Sequence, residues 1–553
     1  MEKKTILAFV LSFVVLLLWS VLFAPKQGES PQKKKGVPPK EQPVLSESQK
    51  TVTPKETIQL GPRQEQAGGP EIRDKDIKIE TPLYEAVFSN MGPGIKSFRL
   101  KRYHLTPDPG SPIIELVHLK EKREDFFYIE FGNPSNPKNE KSLYKVSEES
   151  LNLYQDSLPK DLNFRSVTPD GLSVDQTFRF YPDRYNIDLT VTLLNTSENQ
   201  VEGSLQAQIK NIPPEGKKGY YSFVGIALLL NGDLKEIETK EIEKNKNLAG
   251  RIGWVAYEDD FFISAVIPEK QEEGIFKGYS LPERVIGVGH ATPAVSLKNR
   301  EQITFKYTLY LGPRDLGILK KLGKNLDLAI NFGWTDIIAK PLLQTLRFTN
   351  DYVNNYGISI ILLTVLIKIL FWPLTHKSYK SMKQMQKLQP LMAKIREKYK
   401  NNKEQMNKEL MGLYKTYKVN PMGGCLPMVI QIPVFFALFR VLSNSIELRH
   451  APFLLWINDL SAPDRLFHFP FTIPFMSPPY GIPVLTLLMG ASMFIQQKMT
   501  PTPGDPTQAK VMMFLPIIFT AMFINFPSGL VLYWLINNIL SIGQQYRIIK
   551  RQD

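Results

Sequence analysis

Apolar side chains keep three different rhythms along this chain. From about Ile77 to Pro313 they recur at every second residue. Tyr185, Ile187, Leu189, Val191 and Leu193 share one face of YNIDLTVTLLN, and Ile303, Phe305, Tyr307 and Leu309 share one face of QITFKYTLYLG. Such runs, parted by Asn, Gly and Pro turns, predict an all-β sandwich over residues 76–318. Its aromatic residues fit a packed core, with a glycan-binding face as the other reading.

Elsewhere the apolar stretches are unbroken. One runs from Ile6 to Ala24, and further ones cover Gly357–Thr375, Cys425–Ser445, Ile482–Lys498, Val511–Phe526 and Gly529–Gln545. Each approaches the ~20 residues with which a helix crosses a bilayer. The third rhythm is a step of three or four. Met385, Leu388, Met392, Ile395 and Tyr399 keep it, KNN turns the chain, and Met406, Leu410, Leu413 and Tyr417 resume it. Two apolar stripes of this kind predict a helical hairpin over residues 376–420, with Pro390 bending its first arm. Its methionines serve equally well as an adaptable peptide-binding surface or as packing between the arms. Trp334, Ile337, Ile338, Leu342 and Phe348 gather near one face of GWTDIIAKPLLQTLRF. That face predicts a helix lying on the membrane surface within residues 319–356, or else an amphipathic core helix.

Composition and charge sharpen this picture. The chain has 553 residues, an ordinary hydrophobic share of 43% and a formal net charge of +14. Much of the excess sits between Lys377 and Lys418, where twelve Lys/Arg face three acids. A basic loop between apolar spans is explained first by the positive-inside rule, which puts nucleic acid well behind. Lys3 and Lys4 precede the first apolar stretch, which is longer than a signal-peptide core and lacks a good cleavage site. Residues 1–24 therefore read as an uncleaved anchor. From there, alternation brings the hairpin, QKMTPTPGDPTQAK and the short basic tail 548–553 to the cytoplasmic side, and ELRHAPFLLWINDLSAPD to the outside. Residues 25–75, rich in Lys, Pro, Gln, Glu, Ser and Gly, predict a disordered tether. The one cysteine, Cys425, allows neither an internal disulfide nor a cysteine-based zinc site, and the six histidines lack metal-ligand spacing. No metal and no cofactor are expected, and no G-x-x-x-x-G-K-[ST] loop suggests ATP.

Lys368 is the chemical anomaly. It lies inside an apolar span, where a lysine costs ~2.5–3.5 kcal/mol on insertion scales. It precedes Thr375 by seven residues, ~10 Å of helix, so its side chain reaches the cytoplasmic interface poorly. None of the five C-terminal spans contains Asp or Glu. They do supply Ser359, Thr364, Gln431, Ser492, Gln496, Thr520, Asn525, Tyr533, Asn537 and Asn538. The charge is thus expected in a hydrated polar pocket without a fixed counter-charge, able to receive an anionic group from elsewhere. Pairing with Glu447 or with a lipid phosphate is the other reading. Missing span carboxylates argue against an ion-coupled transporter, and the lack of a nucleophile–base pair against a membrane enzyme.

Four blocks then carry a resemblance: GISIILLTVLIKILFWPLTHKSYKSMKQMQKLQP, NPMGGCLPMVIQIPVFFALFRVL, SIELRHAPFLLWINDLSAPD and FPSGLVLYWLINN. Over about Gly333–Arg547 the chain resembles the YidC/Oxa/Alb membrane protein insertases. GWVAYEDDFFISAVIP and YLGPRDL are similar to the Gram-negative branch. The resemblance implies a polytopic α-helical protein of the bacterial inner membrane. It would comprise an N-terminal anchor, a periplasmic β-supersandwich and a five-helix insertase core, residues 357–547, around a lipid-open hydrophilic groove. It implies no enzyme activity. Lys368 stands where relatives most often carry Arg, keeping the charge without the bidentate fork. Thr364, Gln431 and Tyr533 are implied to line the groove, with Ser359, Asn525 and Asn537 as further client contacts. Asn525 replaces an aromatic found in many relatives. Met385, Met392, Tyr399, Met406 and Leu413 are the hairpin positions expected to meet client or ribosome. Nascent membrane proteins, the Sec translocon, ribosomes and membrane lipids are the implied partners. The competing expectation is an anchored periplasmic scaffold that binds glycan or lipoprotein and inserts nothing.

Overall fold

The computed structural model describes residues 75–119, 125–132, 142–214, 223–271, 273–417, 419, 426–500 and 506–550. The expected anchor 1–24, nearly all of the tether, Cys425 and the end of the basic tail lie outside the described residues.

Alternation does what it predicts in the β region. The strand Asn186–Asn195 buries Ile187, Leu189, Val191 and Leu193 while Asp188, Thr190 and Thr192 stay partly open. It lies between Leu172–Phe180 and Gln302–Pro313, antiparallel to both. Nineteen strands among the described residues pair from Asp76 to Pro313, antiparallel apart from one pairing of Ile79 with Leu151. The long strand Asn247–Glu258 joins two sets of strands: its first half pairs with Glu273–Ser280, its second with Gly225–Leu230 and Phe262–Pro268. The two sets face each other across aromatic rings, with Phe88 5.1 Å from Phe178 and 5.7 Å from Phe180. Each large ring taken from water stabilises the sandwich by ~1.5–3 kcal/mol.

The strand Gln302–Pro313 keeps its alternation to Leu309 and from there to its end is buried on both faces. That end is where helices meet the sandwich. Helix α1 (Leu316–Leu322) starts at Asp315, whose carboxylate accepts from Gly317 N and Ile318 N, an N-cap at the positive pole of the helix. Helix α2 (Asp336–Val353) packs Ala339 and Leu343 into the same core. Helix α3 (Tyr356–Lys398) begins under an Asn355 cap and runs 43 residues. It is the one described helix long and apolar enough to cross a membrane by itself. The expected first hairpin arm is therefore the continuation of α3, because HKSYKS offers no residue that stops a helix. Helix α4 (Lys403–Thr416) returns along it after an Asn402 cap. Met385, Leu388 and Met392 meet Leu410 between these arms.

The remaining helices are α5 (Leu426–Asn444), α6 (Val484–Met499), α7 (Pro506–Phe523) and α8 (Ser528–Lys550). Helix α8 packs on α3 and α6, and α2 packs on α3 and α5. Helices α6 and α7 touch through Gly490, where a Cβ would collide with the Thr520 side chain. Small residues of this kind let membrane helices approach closely.

Sandwich and bundle share a polar junction. Arg314 donates to Asp259 O and Ala329 O, each at 2.7 Å. Arg347 of α2 reaches Asp315 at 3.2 Å and comes within 3.3 Å of Glu447, without hydrogen-bond alignment to the latter. Arg449 donates to His104 O at 2.7 Å. The connection from α5 to α6 thus lies at the sandwich end of the bundle.

Candidate functional site

Helix α8 carries polar residues at Tyr533, Asn537, Ser541 and Gln544, spaced four, four and three. That spacing puts them on one stripe of a helix, ~16 Å long. Lys368 and Thr375, two turns apart on α3, meet the stripe. The Lys368 ammonium donates to Asn537 Oδ1 at 3.0 Å and to Ser541 Oγ at 2.6 Å. Thr375 and Gln544 exchange hydrogen bonds at 2.9 and 3.2 Å. At the other end Gln431 of α5 donates to Tyr533 Oη at 2.6 Å. A second line, Asn538 and Gln545, faces α6, donating to Ser492 Oγ at 3.0 Å and Met499 O at 3.0 Å.

Lys368 is only 7% exposed, and no acidic group acts on it among the described residues. Two of its three ammonium hydrogens meet neutral oxygens, and the third has no described protein partner. Two neutral acceptors do not neutralise a charge, so an anion entering this seam gains a charge-assisted bond in a low dielectric.

The sequence-derived candidates divide into four groups. Lys368, Asn537, Gln431 and Tyr533 come together along the seam. Ser359 and Thr364 are buried on α3 beside it, and their hydroxyls donate back to Asn355 O and Ile360 O. Asn525 is elsewhere: α7 ends at Phe523, and Asn525 accepts from Ser477 N at 2.7 Å and donates to Phe475 O at 2.8 Å in the α5–α6 connection. It holds that connection and does not face the seam. Among hairpin positions, Met385 and Met392 are buried between the arms, with Met406 and Leu413 packed against them. Met411 and Tyr417 point outward instead, at 52% and 53% exposure. Ser541, Thr375 and Gln544 were missed. The signal was available, since Ser541 follows Asn537 by one helical turn.

Fold and site together define a class: an apolar helical bundle with a polar seam around one buried cation, bearing a large β sandwich. The family model described as the 60Kd inner membrane protein matches residues 348–553, and that of the YidC periplasmic domain matches residues 76–345. A membrane protein insertase YidC of Syntrophus aciditrophicus is 42% identical, covering 100% of both chains. Those of Syntrophobacter fumaroxidans, 41% identical over 99% of both, and Geotalea uraniireducens, 42% identical over 100% of this chain and 99% of the other, agree. A solved structure described as an active YidC insertase is 18% identical, covers 86% of this chain and 93% of its own, and gives a TM-score of 0.37. The chain belongs to the YidC family of membrane protein insertases.

Proposed function

We propose that this insertase moves nascent membrane protein segments from the cytoplasm into the inner membrane by lending them the polar seam between α3, α5 and α8. Nothing in the family's name indicates an enzyme, and the work is one of solvation. A client's short polar tail exchanges hydrogen bonds with Asn537, Ser541, Gln431 and Tyr533, and an acidic group in it pairs with Lys368. Its apolar segment meanwhile slides along the bundle's outer face into lipid, and hydrophobic transfer drives the step. The observation that carries this reading is the buried Lys368 ammonium with neutral partners and a spare hydrogen. A built-in carboxylate would leave it nothing to offer.

The same reading takes the bundle as multi-pass, with the N-terminal stretch as a further anchor, the 76–318 sandwich in the periplasm and the α3–α4 hairpin in the cytoplasm. The basic faces of that hairpin suit a ribosome, and the flank of the bundle suits lipid and the Sec translocon. Ser359 and Thr364 shape the seam from behind.

The experiment is insertion of a client with an acidic tail into vesicles containing the purified protein. Lys368→Arg should insert it as the parent does, while Lys368→Ala and Lys368→Glu should insert it several-fold more slowly. Equal rates in all four proteins would remove the charge from the mechanism.

A further inference from the structure

The connection between α5 and α6 contains a feature the seam does not use. Strands Leu466–Phe469 and Tyr480–Ile482 form a small antiparallel hairpin just before α6. In this connection five large apolar side chains are exposed: Leu454 at 56%, Leu455 at 86%, Phe467 at 68%, Phe471 at 60% and Phe475 at 93%. Isolated exposed apolar residues are ordinary, but so many within one short connection mark an interaction surface.

The hairpin is held stiffly. Arg465 donates to Pro479 O at 2.9 Å and to Ile524 O at 2.8 Å, and Asn525 ties Ser477 and Phe475 from the end of α7. The Asp464 carboxylate accepts from Trp456 Nε1 at 2.6 Å and from Leu485 N at the start of α6. The backbone is also forced at the exposed positions. Leu455, Phe467 and Phe475 have φ of 59°, 55° and 63°. A bulky residue in that left-handed region is strained relative to ordinary backbone. A strained, clamped loop holding large apolar side chains outward needs a medium that rewards their exposure.

Three observations identify the medium. From Leu466 to Leu487 there is no Asp, Glu, Lys or Arg in the sequence. Five prolines, 470, 474, 478, 479 and 483, remove backbone N–H donors that an irregular segment would otherwise leave unpaired away from water. The helices flanking the connection are apolar outward as well: α6 exposes Leu487 and Leu488, and α7 exposes Phe514, Ile517 and Ile518, faces suited to hydrocarbon in an inner-membrane family. We infer that the 454–482 connection dips into the lipid leaflet on the sandwich side, with Leu455, Phe467 and Phe475 below the headgroups. This pins the α6–α7 flank at a fixed depth. A protein partner on the same face is the competing occupant.

The inference rests on the bundle lying in the membrane, and the test separates the two. In full-length protein carrying Cys425→Ser, single nitroxide labels are placed at Phe475→Cys, Leu455→Cys, Ile517→Cys and Leu158→Cys. The proteins are reconstituted in phosphatidylethanolamine/phosphatidylglycerol vesicles. Ile517 reports the bundle's lipid face and Leu158, on the sandwich, reports water. Power saturation should give Phe475 and Leu455 the profile of Ile517, with oxygen accessibility several-fold above that of a water-soluble nickel chelate. A Leu158-like profile at 475 and 455 overturns the inference while Ile517 still vouches for the bundle. Immobilised labels that neither reagent reaches overturn it in favour of a protein occupant. Retained oxygen-rich profiles at lower protein-to-lipid ratios support it.

Discussion

Lys368 Nζ sits 2.6 Å from Ser541 Oγ, and the Ser541 hydroxyl passes its own hydrogen to Asn537 O at 2.7 Å. One side chain of α8 thus accepts from the buried cation and hands its donor back to its own helix. The arrangement orients the ammonium without discharging it. Ser541→Asp should reverse that by giving the cation a carboxylate of its own. The protein should remain folded, with thermal unfolding in nanodiscs no lower than the parent. Insertion of acidic-tailed clients should nevertheless fall as far as in Lys368→Glu. Ser541→Ala should cost the ~1.5–3 kcal/mol of a hydrogen bond to a charged group, with Ser541→Thr restoring it.

The Gln431–Tyr533 bond joins α5 to α8 at the other end of the seam. Tyr533→Phe keeps the ring and removes the hydroxyl, so about 1 kcal/mol of stability should go. Combining it with Gln431→Met should add little further loss, because the two residues act on one bond. A double-mutant cycle of unfolding midpoints measures the coupling, and strict additivity would mean the bond does not hold the helices.

The junction beneath the sandwich should show in a pH profile. Burial, and then the Asp315 charge, hold the Glu447 carboxyl above its ordinary 4.5, at about 7, while Arg347 pulls it back. Tyr103 and Tyr356 are the other titratable groups that feel its charge. Across that interval the folded chain keeps a proton that the unfolded chain releases. This group therefore favours folding on the acid side, and its contribution fades as pH rises through about 7. Glu447→Gln should flatten that part of the stability profile and raise stability most at the alkaline end, read by denaturant unfolding at about pH 5 and about pH 8. Arg347→Ala strands both carboxylates and should cost on the order of 3 kcal/mol.

Gly490 sets the α6–α7 approach. Gly490→Leu should push Thr520 aside and separate the helices, at a cost of ~1–3 kcal/mol for overpacking. Gly490→Leu with Thr520→Ala should recover part of it, measured as melting temperature in lipid.

Much of this architecture can be read from residue spacing, and the exceptions have physical reasons. Alternation at Tyr185–Leu193 identifies a half-buried strand because one face is wet. It fails beyond Leu309, where the same strand is buried on both faces. Lys368 announces itself because a charge in an apolar run is anomalous alone. Its partners do not, because Ser541 and Gln544 become meaningful only when taken a helical turn apart from Asn537. Asn525 looks like a seam residue while α7 is drawn to Phe526. The helix stops at Phe523, and the side chain turns to the 466–482 hairpin instead. That hairpin is itself hidden in the sequence, since its prolines blur the strand pattern.

The central claim is that client polar groups occupy the seam beside Lys368. The most direct measurement places a photocrosslinker at Tyr533 or Asn537 and challenges the protein with a ribosome-stalled membrane protein whose tail is acidic. Crosslinks should form to the tail, weaken several-fold in Lys368→Glu and persist in Lys368→Arg. Crosslinks that ignore the sign of residue 368, or that never reach the tail, would contradict the account.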